Sequence, residues 1–415
     1  MDASEPSRPA GRVAFTHPSF TYFFAGRWFV TSALEMQSVA VGWQVYEITR
    51  RPLDLGLVGL AQFLPGILLF LISGHAADRF DRKRLIVACY AGFAVCSASL
   101  LVIALRGTRS VIPIYGVMVL LGIVRSFSGP VTRAIMPQLV PEEHFPNAVA
   151  WNASAFQSAT ILGPAVGGLI YAAFRGPAAV YAAALASAMI GFLSMLRVKP
   201  QTKPRPREQF NLATVSAGLR YIWREKLILG SISLDLFAVL LGGAVALLPV
   251  YARDILKTGP WGLGLLRAAP GLGAAAMAVL IAHRPLRRRA GAAMLWCVGG
   301  FGAFTILFGI SRNLFLSLFA LLLVGASDTV SVIVRGILVQ VATPDEMRGR
   351  VNAVDMIFIG ASNQLGQFES GVTADWFGTV PAVVLGGIGT LVVTALWAWY
   401  FPELRKIEDL KMPGS

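Results

Sequence analysis

The residues able to do chemistry in this chain are charged side chains set inside long apolar runs. Arg27 and Glu35 share one run, and Arg125, Asp235 and Asp328 lie in three others. A charge held at the centre of a bilayer costs about 2.5–3.5 kcal/mol on insertion scales, so each is a functional candidate by default. A carboxyl among apolar groups favours its neutral form and can take up and release a proton. At about 1.5 Å per residue, Glu35 sits about 20 Å from the start of its run and Asp235 about 12 Å into its own. Thr31, Glu35, Ser38 and Gly42 share one helical stripe, and Asp355, Ser362, Gly366, Glu369 and Thr373 form another. Glu35, Arg125, Asp328 and Asp235 are therefore the candidates for moving protons. The competing reading is a permanent structural pair, such as Glu35 with Arg125. Near run ends, at Asp355, Glu369, Asp375 and Arg267, the structural reading is favoured.

Such positions need elements to hold them, and composition says which. Of 415 residues, 55% are hydrophobic and 14% charged, against roughly 25% charged in soluble domains. Mean hydropathy is +0.65. A soluble fold of this length could not hide that much apolar surface, and disordered, collagenous and disulfide-scaffold classes are excluded. An all-α integral membrane protein remains. A spanning helix needs about 20 apolar residues, and twelve runs are found: 20–48, 55–73, 85–105, 111–139, 146–174, 178–196, 227–251, 261–282, 291–310, 314–341, 350–375 and 381–400. The organisation expected is a tail over 1–19, a six-helix bundle over 20–196, a linker over 197–226, a second bundle over 227–400 and a tail over 401–415. Pro200, Pro204 and Pro206 make the first part of the linker non-helical.

The net charge of +14 comes from 36 Lys and Arg against 22 Asp and Glu. Most basic residues lie between runs, where they set topology, so no nucleic-acid partner is expected. With the N-terminus inside, 23 Lys and Arg face the cytoplasm, 8 face out and five fall within runs. Both termini and the linker are expected in the cytoplasm, and the chain in the inner (plasma) membrane. Cys89, Cys96 and Cys297 sit in apolar runs without metal or disulfide spacing, and the four histidines are scattered. No metal or cofactor is expected. The first run is too long for a cleaved signal.

The chain also repeats itself. At a shift of 205, Val45-Tyr46 meets Val250-Tyr251, Gly59 meets Gly264, and Pro65-Gly66 meets Pro270-Gly271. Arg79, Arg82, Lys83 and Arg84 meet Arg284, Arg287, Arg288 and Arg289. At 203, Gly122 meets Gly325, Pro141-Glu142-Glu143 meets Pro344-Asp345-Glu346, Asn152 meets Asp355 and Arg125 meets Asp328. Two parallel six-helix halves place a substrate path at their interface, near the midplane.

Between the second and third runs stands Gly74-His75-Ala76-Ala77-Asp78-Arg79-Phe80-Asp81-Arg82-Lys83-Arg84. This closely resembles the signature loop of the major facilitator superfamily, and with the twelve runs, the repeat and the linker the resemblance covers nearly the whole chain. It implies two pseudo-symmetric six-helix bundles and transport. Physically the loop reads as a cytoplasmic latch. Gly74 allows close approach, Asp78 faces the positive end of a helix, and Arg79 and Arg82 pair with carboxylates. Positive-inside anchoring alone explains Arg82, Lys83 and Arg84 but not Gly74 or Asp78. The second copy, His283-Arg284-Pro285-Leu286-Arg287, lacks the glycine and the aspartate. Arg125 and Gly129 are similar to the superfamily's fourth-span motif, whose arginine is linked to proton coupling. Gly163-Pro164-Ala165-Val166-Gly167-Gly168 resembles the end of its antiporter motif, although Ala159 and Ala150 replace upstream glycines. Helix packing alone is the alternative for that motif.

Trp43, Gln44, Gln62, Trp151, Asn152, Gln157, Asn363 and Gln364 mix aromatic and amide groups that suit a polar aromatic substrate. Anchoring or packing is the alternative for each tryptophan. The segments 340–352 and 17–29, carrying Thr343-Pro344, Met347, Gly349-Arg350 and His17-Pro18, look like the enterobactin exporter group. That resemblance implies siderophore export driven by protons, in which a single chain suffices as a monomer between lipid, protons and a small-molecule substrate. The rivals are a multidrug or antibiotic efflux antiporter of the same fold and a transporter-like sensor, for which the tails are short. A membrane-embedded enzyme would need a nucleophile–base or metal constellation, and the sequence presents none.

Overall fold

The computed structural model describes residues 10–200, 212–284 and 289–406. Every regular element among them is helical. The helices are α1 (Pro18–Thr49), α2 (Pro52–Leu68), α3 (Phe70–Arg79), α4 (Arg82–Leu105), α5 (Ile112–Ile135), α6 (Phe145–Phe174), α7 (Pro177–Leu196) and α8 (Leu212–Arg224). They continue with α9 (Lys226–Gly242), the short α10 (Leu248–Val250), α11 (Gly259–His283), α12 (Ala290–Ile310), α13 (Leu314–Ala342), α14 (Asp345–Phe377), α15 (Thr379–Tyr400) and α16 (Pro402–Arg405).

Nine helical segments among the described residues are long and apolar enough to cross a bilayer. The three expected spans outside that set are α1, the α2–α3 pair and α14. The first and last run 32 and 33 residues, ample length at 1.5 Å per residue. Their hydropathy is lowered by the polar side chains picked out above, including Arg27, Glu35, Asp355 and Glu369. The second span is two helices: α2 carries Pro65 within it, and the chain turns at Leu69 before α3 begins.

The seventh span also departs from the expected single run. α9 stops at Gly242, and a 3-10 turn over Ala244–Leu247, α10 and a π turn over Tyr251–Ile255 complete it. Tandem glycines at 242 and 243 and a proline at 249 give the reason. The Gly243 carbonyl, released from the helix ladder, accepts a hydrogen bond from Ser370 Oγ of α14 at 3.0 Å. An exposed carbonyl at that depth would otherwise be costly. The second part of the linker is the helix α8. Tyr221 donates its hydroxyl to the Ala342 carbonyl at 3.2 Å. Residues 201–211, with Lys203, Arg205 and Arg207, lie outside the described residues, as do Arg287 and Arg288.

The chain forms two compact units. One comprises the chain up to Ala40, Leu64–Thr108 and Ile112–Gln209. The other comprises Val41–Phe63, Arg109–Val111 and everything from Phe210 onward. In the first, α4 packs between α5 and α7. In the second, Leu234, Met294, Val298, Val334 and Leu338 form a buried core with Leu404 of α16. Large apolar side chains such as Leu105, Phe174, Trp296, Phe315 and Trp399 remain exposed. This is the surface a bilayer would cover, and it accounts for the composition.

One crossing in the second unit has no slack. A Cβ added at Gly325 of α13 would stand 1.9 Å from the Pro270 carbonyl oxygen of α11, and one at Gly273 would meet Leu322 as closely. Gly325→Val is therefore expected to force the helices apart, costing about 1–3 kcal/mol. A lowered melting temperature of the purified protein is the readout. An unchanged one would mean that α11 and α13 do not cross there.

Candidate functional site

In the first unit, Glu35 lies half-buried on α1 against α6. Local sequence explains why. A Cβ at Gly163 would come within 2.6 Å of Glu35 Cβ, and one at Gly167 within 2.8 Å of the Met36 carbonyl oxygen. The Gly163-Pro164 and Gly167-Gly168 run is thus a flat face that lets α6 lie directly on α1 beside the carboxylate. The motif packs closely here, and Glu35 and Met36 are what it packs against. Arg125 of α5 is within electrostatic reach of Glu35. Ser38 donates to the Glu35 carbonyl at 2.8 Å, and Ser97 Oγ of α4 donates to Gln37 Oε1 at 2.9 Å. Trp28 donates its indole N–H to Ser158 Oγ at 3.0 Å.

At the predicted latch, Arg82 donates to the Ala134 carbonyl at 3.2 Å. That places a guanidinium on the C-terminal end of α5, where the helix dipole favours a cation. Asp81 caps α4, accepting from the Arg84 amide at 2.7 Å. This cap was not anticipated, although Asp followed by a helical run is its usual signature. Gly74 is half-buried and Arg79 exposed, both in α3; the Asp78 side chain lies outside the described residues. Beside this end of the unit, Asn147 Nδ2 and Trp151 Nε1 both donate to the Gly11 carbonyl, at 3.1 and 2.8 Å. His17 Nε2 lies 2.9 Å from His144 Nδ1. Burial, and then the neighbouring His144, hold the His17 imidazole below its usual pKa.

In the second unit the charges gather. Arg335 of α13, 3% exposed, bonds Asp235 of α9. Its Nε stands 4.0 Å from Asp355 Oδ1 of α14. Asp328, two turns before Arg335 on α13, lines a small cavity with Asp235, Ser327 and Ser331. Two carboxylates thus flank one guanidinium, and a third, Asp328, shares a cavity with the first. The sequence marks Asp235 and Asp328 as candidates and Asp355 as structural, while Arg335 falls within a run but is not among the candidates. The i, i+7 spacing of Asp328 and Arg335 puts both on one face of α13, and that spacing was legible.

A further cluster ties the end of α1 to the broken seventh span, within the same unit. Tyr46 donates to Asp254 Oδ2 at 2.5 Å, and Arg50 Nη1 lies 3.7 Å from Asp254 Oδ1. Arg253 lies 3.5 Å from Glu47 and stacks over the Trp43 ring at 5.3 Å. Of this set, the sequence marks only Trp43 as a site residue, with Tyr46 named for the repeat alone. Asp254→Asn is expected to loosen the junction, raising maleimide labelling of a cysteine placed at Glu47 by about fivefold for a contact contributing about 1 kcal/mol. Unchanged labelling would show that Asp254 does not hold it.

The eight predicted lining residues divide between the units. Trp151, Asn152 and Gln157 belong to the first, and Trp43, Gln44, Gln62, Asn363 and Gln364 to the second. Asn363 donates to its own helix at Ile359, and the Gln364 Oε1 atom is buried without a hydrogen-bond partner.

Long helices in two units, with buried charges and a backbone opened mid-span, define a membrane transporter of the major facilitator fold. The chain belongs to the family described as transmembrane secretion effector, whose model matches residues 13–415. It is 27% identical over 397 residues to the enterobactin exporter EntS of Shigella boydii, covering 95% of this chain and 94% of that one. The same figures hold for the protein of that name from Escherichia coli O81. Among solved structures it resembles the nucleoside transporter NupG, with a TM-score of 0.72 at 11% identity over 92% of this chain and all of the other. It also resembles a bacterial homologue of the lysosomal transporter Spinster, at 0.71 and 12% identity over 97% and 99%. These proteins are transporters rather than enzymes, and the likeness to solved structures concerns the fold.

Proposed function

We propose that this protein exports a siderophore-like small molecule across the inner membrane by proton-coupled alternating access. Both termini and the linker lie in the cytoplasm, as the distribution of Lys and Arg favours. The reading rests on full-length similarity to enterobactin exporters. Coupling is supported by charge balance, since Asp235 and Asp355 share Arg335 as their guanidinium and Asp328 lines the same cavity as Asp235. A proton supplies positive charge that the cluster otherwise lacks, and its arrival or departure shifts the balance between two arrangements of the helices. Glu35 with Arg125 provides the second proton-active position. The loop at Gly74, Asp78, Arg79 and Arg82 acts as the cytoplasmic latch, which must open once per cycle. One chain carries the whole path and works as a monomer.

Uptake into inside-out vesicles under an acid-inside gradient tests this, with iron-free enterobactin and a hydrophobic dye supplied in parallel. Export from the cell appears there as accumulation. Siderophore uptake that an uncoupler abolishes is the expected result. Uptake of the dye alone would reassign the protein to multidrug efflux.

A further inference from the structure

The chain ahead of α1 is strapped to the start of α6. Ala10–Thr16 forms a 3-10 segment, and its Ala14 amide donates to Asn147 Oδ1 at 3.1 Å. Asn147 and Trp151 answer at the Gly11 carbonyl. Phe15 stands edge-on to Phe24 of α1 and to Trp151, with ring centres 5.1 and 5.0 Å apart, and Ala14 is fully buried. The strap ends at His17, where the two imidazoles meet at 2.9 Å.

At that distance one ring donates an N–H and the other accepts it. The bond survives with both rings neutral or with one charged. With both charged there are only donors, and two cations face each other. The surroundings oppose that second proton. His17 precedes α1, whose first amides bond its carbonyl, and His144 is the N-cap of α6. The dipoles of both helices disfavour positive charge there. Burial and His144 already hold His17 below its ordinary pKa, and His144 is the charged group that acts on it. The other charged side chains on the elements meeting here are Arg12 of the strap, Glu142 and Glu143 before His144, and Arg197 and Lys199 after α7. All of these are exposed, where water and salt screen them. α1 carries no charge before Arg27, and α6 carries none along its length.

We propose that His17 and His144 form a pH-operated clasp, which holds the strap on α6 at neutral pH and releases it on acidification. Release lifts Phe15 from Trp151 and Phe24 and bares an aromatic face at this end of the unit. The strapped form binds fewer protons than the released form. The clasp is therefore at full strength above the ordinary histidine pKa of about 6.5 and weakens as pH falls through it. On the export reading, which places this end in the cytoplasm, the clasp responds to the acid load that inward proton flow brings.

The test is hydrogen exchange of the purified full-length protein, read by mass spectrometry on peptides covering 10–17 between about pH 7.5 and about pH 5, with rates corrected for the intrinsic effect of pH. Protection of the strap should fall about five- to tenfold in the wild type, the worth of one such bond. Peptides from the core of α4 should keep theirs. His17→Gln and His144→Gln each leave a side chain that donates and accepts but does not titrate, so each should hold the strap equally at both ends of the range. Ring nitrogen shifts of labelled histidine in the wild type, assigned through the same variants, give a second reading. Loss of protection should coincide with the second proton on the pair. A wild-type strap indifferent to pH, the same fall in both variants, or opening at a pH where neither ring changes state would each overturn the proposal. No gradient or substrate enters this measurement, so a failure of proton-coupled export and a failure of the clasp are separately visible.

Discussion

Glu35→Gln should abolish gradient-driven export while leaving the folded protein intact. The substitution keeps the shape of the side chain and removes only its ability to ionise. Shape matters here because α6 lies flat against this residue, with Gly163 leaving room for no further atom. The amide fills the same space, so the yield of monodisperse protein should match the wild type. What changes is the exchange of charge with Arg125, the guanidinium acting on Glu35 from α5. In the vesicle assay, accumulation should fall to the level of uncoupled membranes, while equilibration of substrate down its own gradient persists. Wild-type accumulation by this variant would remove Glu35 from the mechanism and leave the carboxylates of the second unit as the proton-active groups.

Arg335→Gln should be the most damaging of the single changes. Arg335 and Asp235 are both buried, at 3% and 6% exposure. Breaking a buried pair from one side costs about 3–5 kcal/mol, because a charge is left behind without compensation. Here the change would leave Asp235, Asp355 and Asp328 facing one another without Arg335. Loss of most of the protein from the membrane is the expected outcome. The double variant Arg335→Gln with Asp235→Asn removes the stranded charge and should recover much of the yield. It should not recover coupling, since the cation that organises the cluster is gone. A single variant that melts like the wild type would show that Asp235 is not neutralised by Arg335.

The membrane fold was legible because long apolar runs admit few other readings, and helix ends agree with the runs to within a few residues for α4, α7, α12 and α15. The interruptions were harder. Gly242-Gly243 and Pro249 were visible as letters, but each occurs often in unbroken membrane helices, where neighbours restore the lost hydrogen bonds. Only the arrival of Ser370 from a helix over a hundred residues away makes the break stable, and no local pattern contains that. The charged residues show the same division. Glu35, Asp235 and Asp328 stood out through the cost of burying charge. The role of Arg335 depends on three helices meeting, and Asp254 was hidden because a charge at a run end has an ordinary explanation. Glycine spacing in α6 spoke for close packing; that the packed surface carries Glu35 came from the fold.

The interruption at Gly243 also bears on mechanics. An unbroken helix behaves as a stiff rod, so a tilt applied at Asp254 would swing Asp235 through a proportionate arc. A missing rung turns the rod into two levers joined at a pivot, and the Ser370 contact sets the friction of that joint. The end held by Tyr46 and Arg50 can then yield while the buried ion pair of Asp235 and Arg335 keeps its registry.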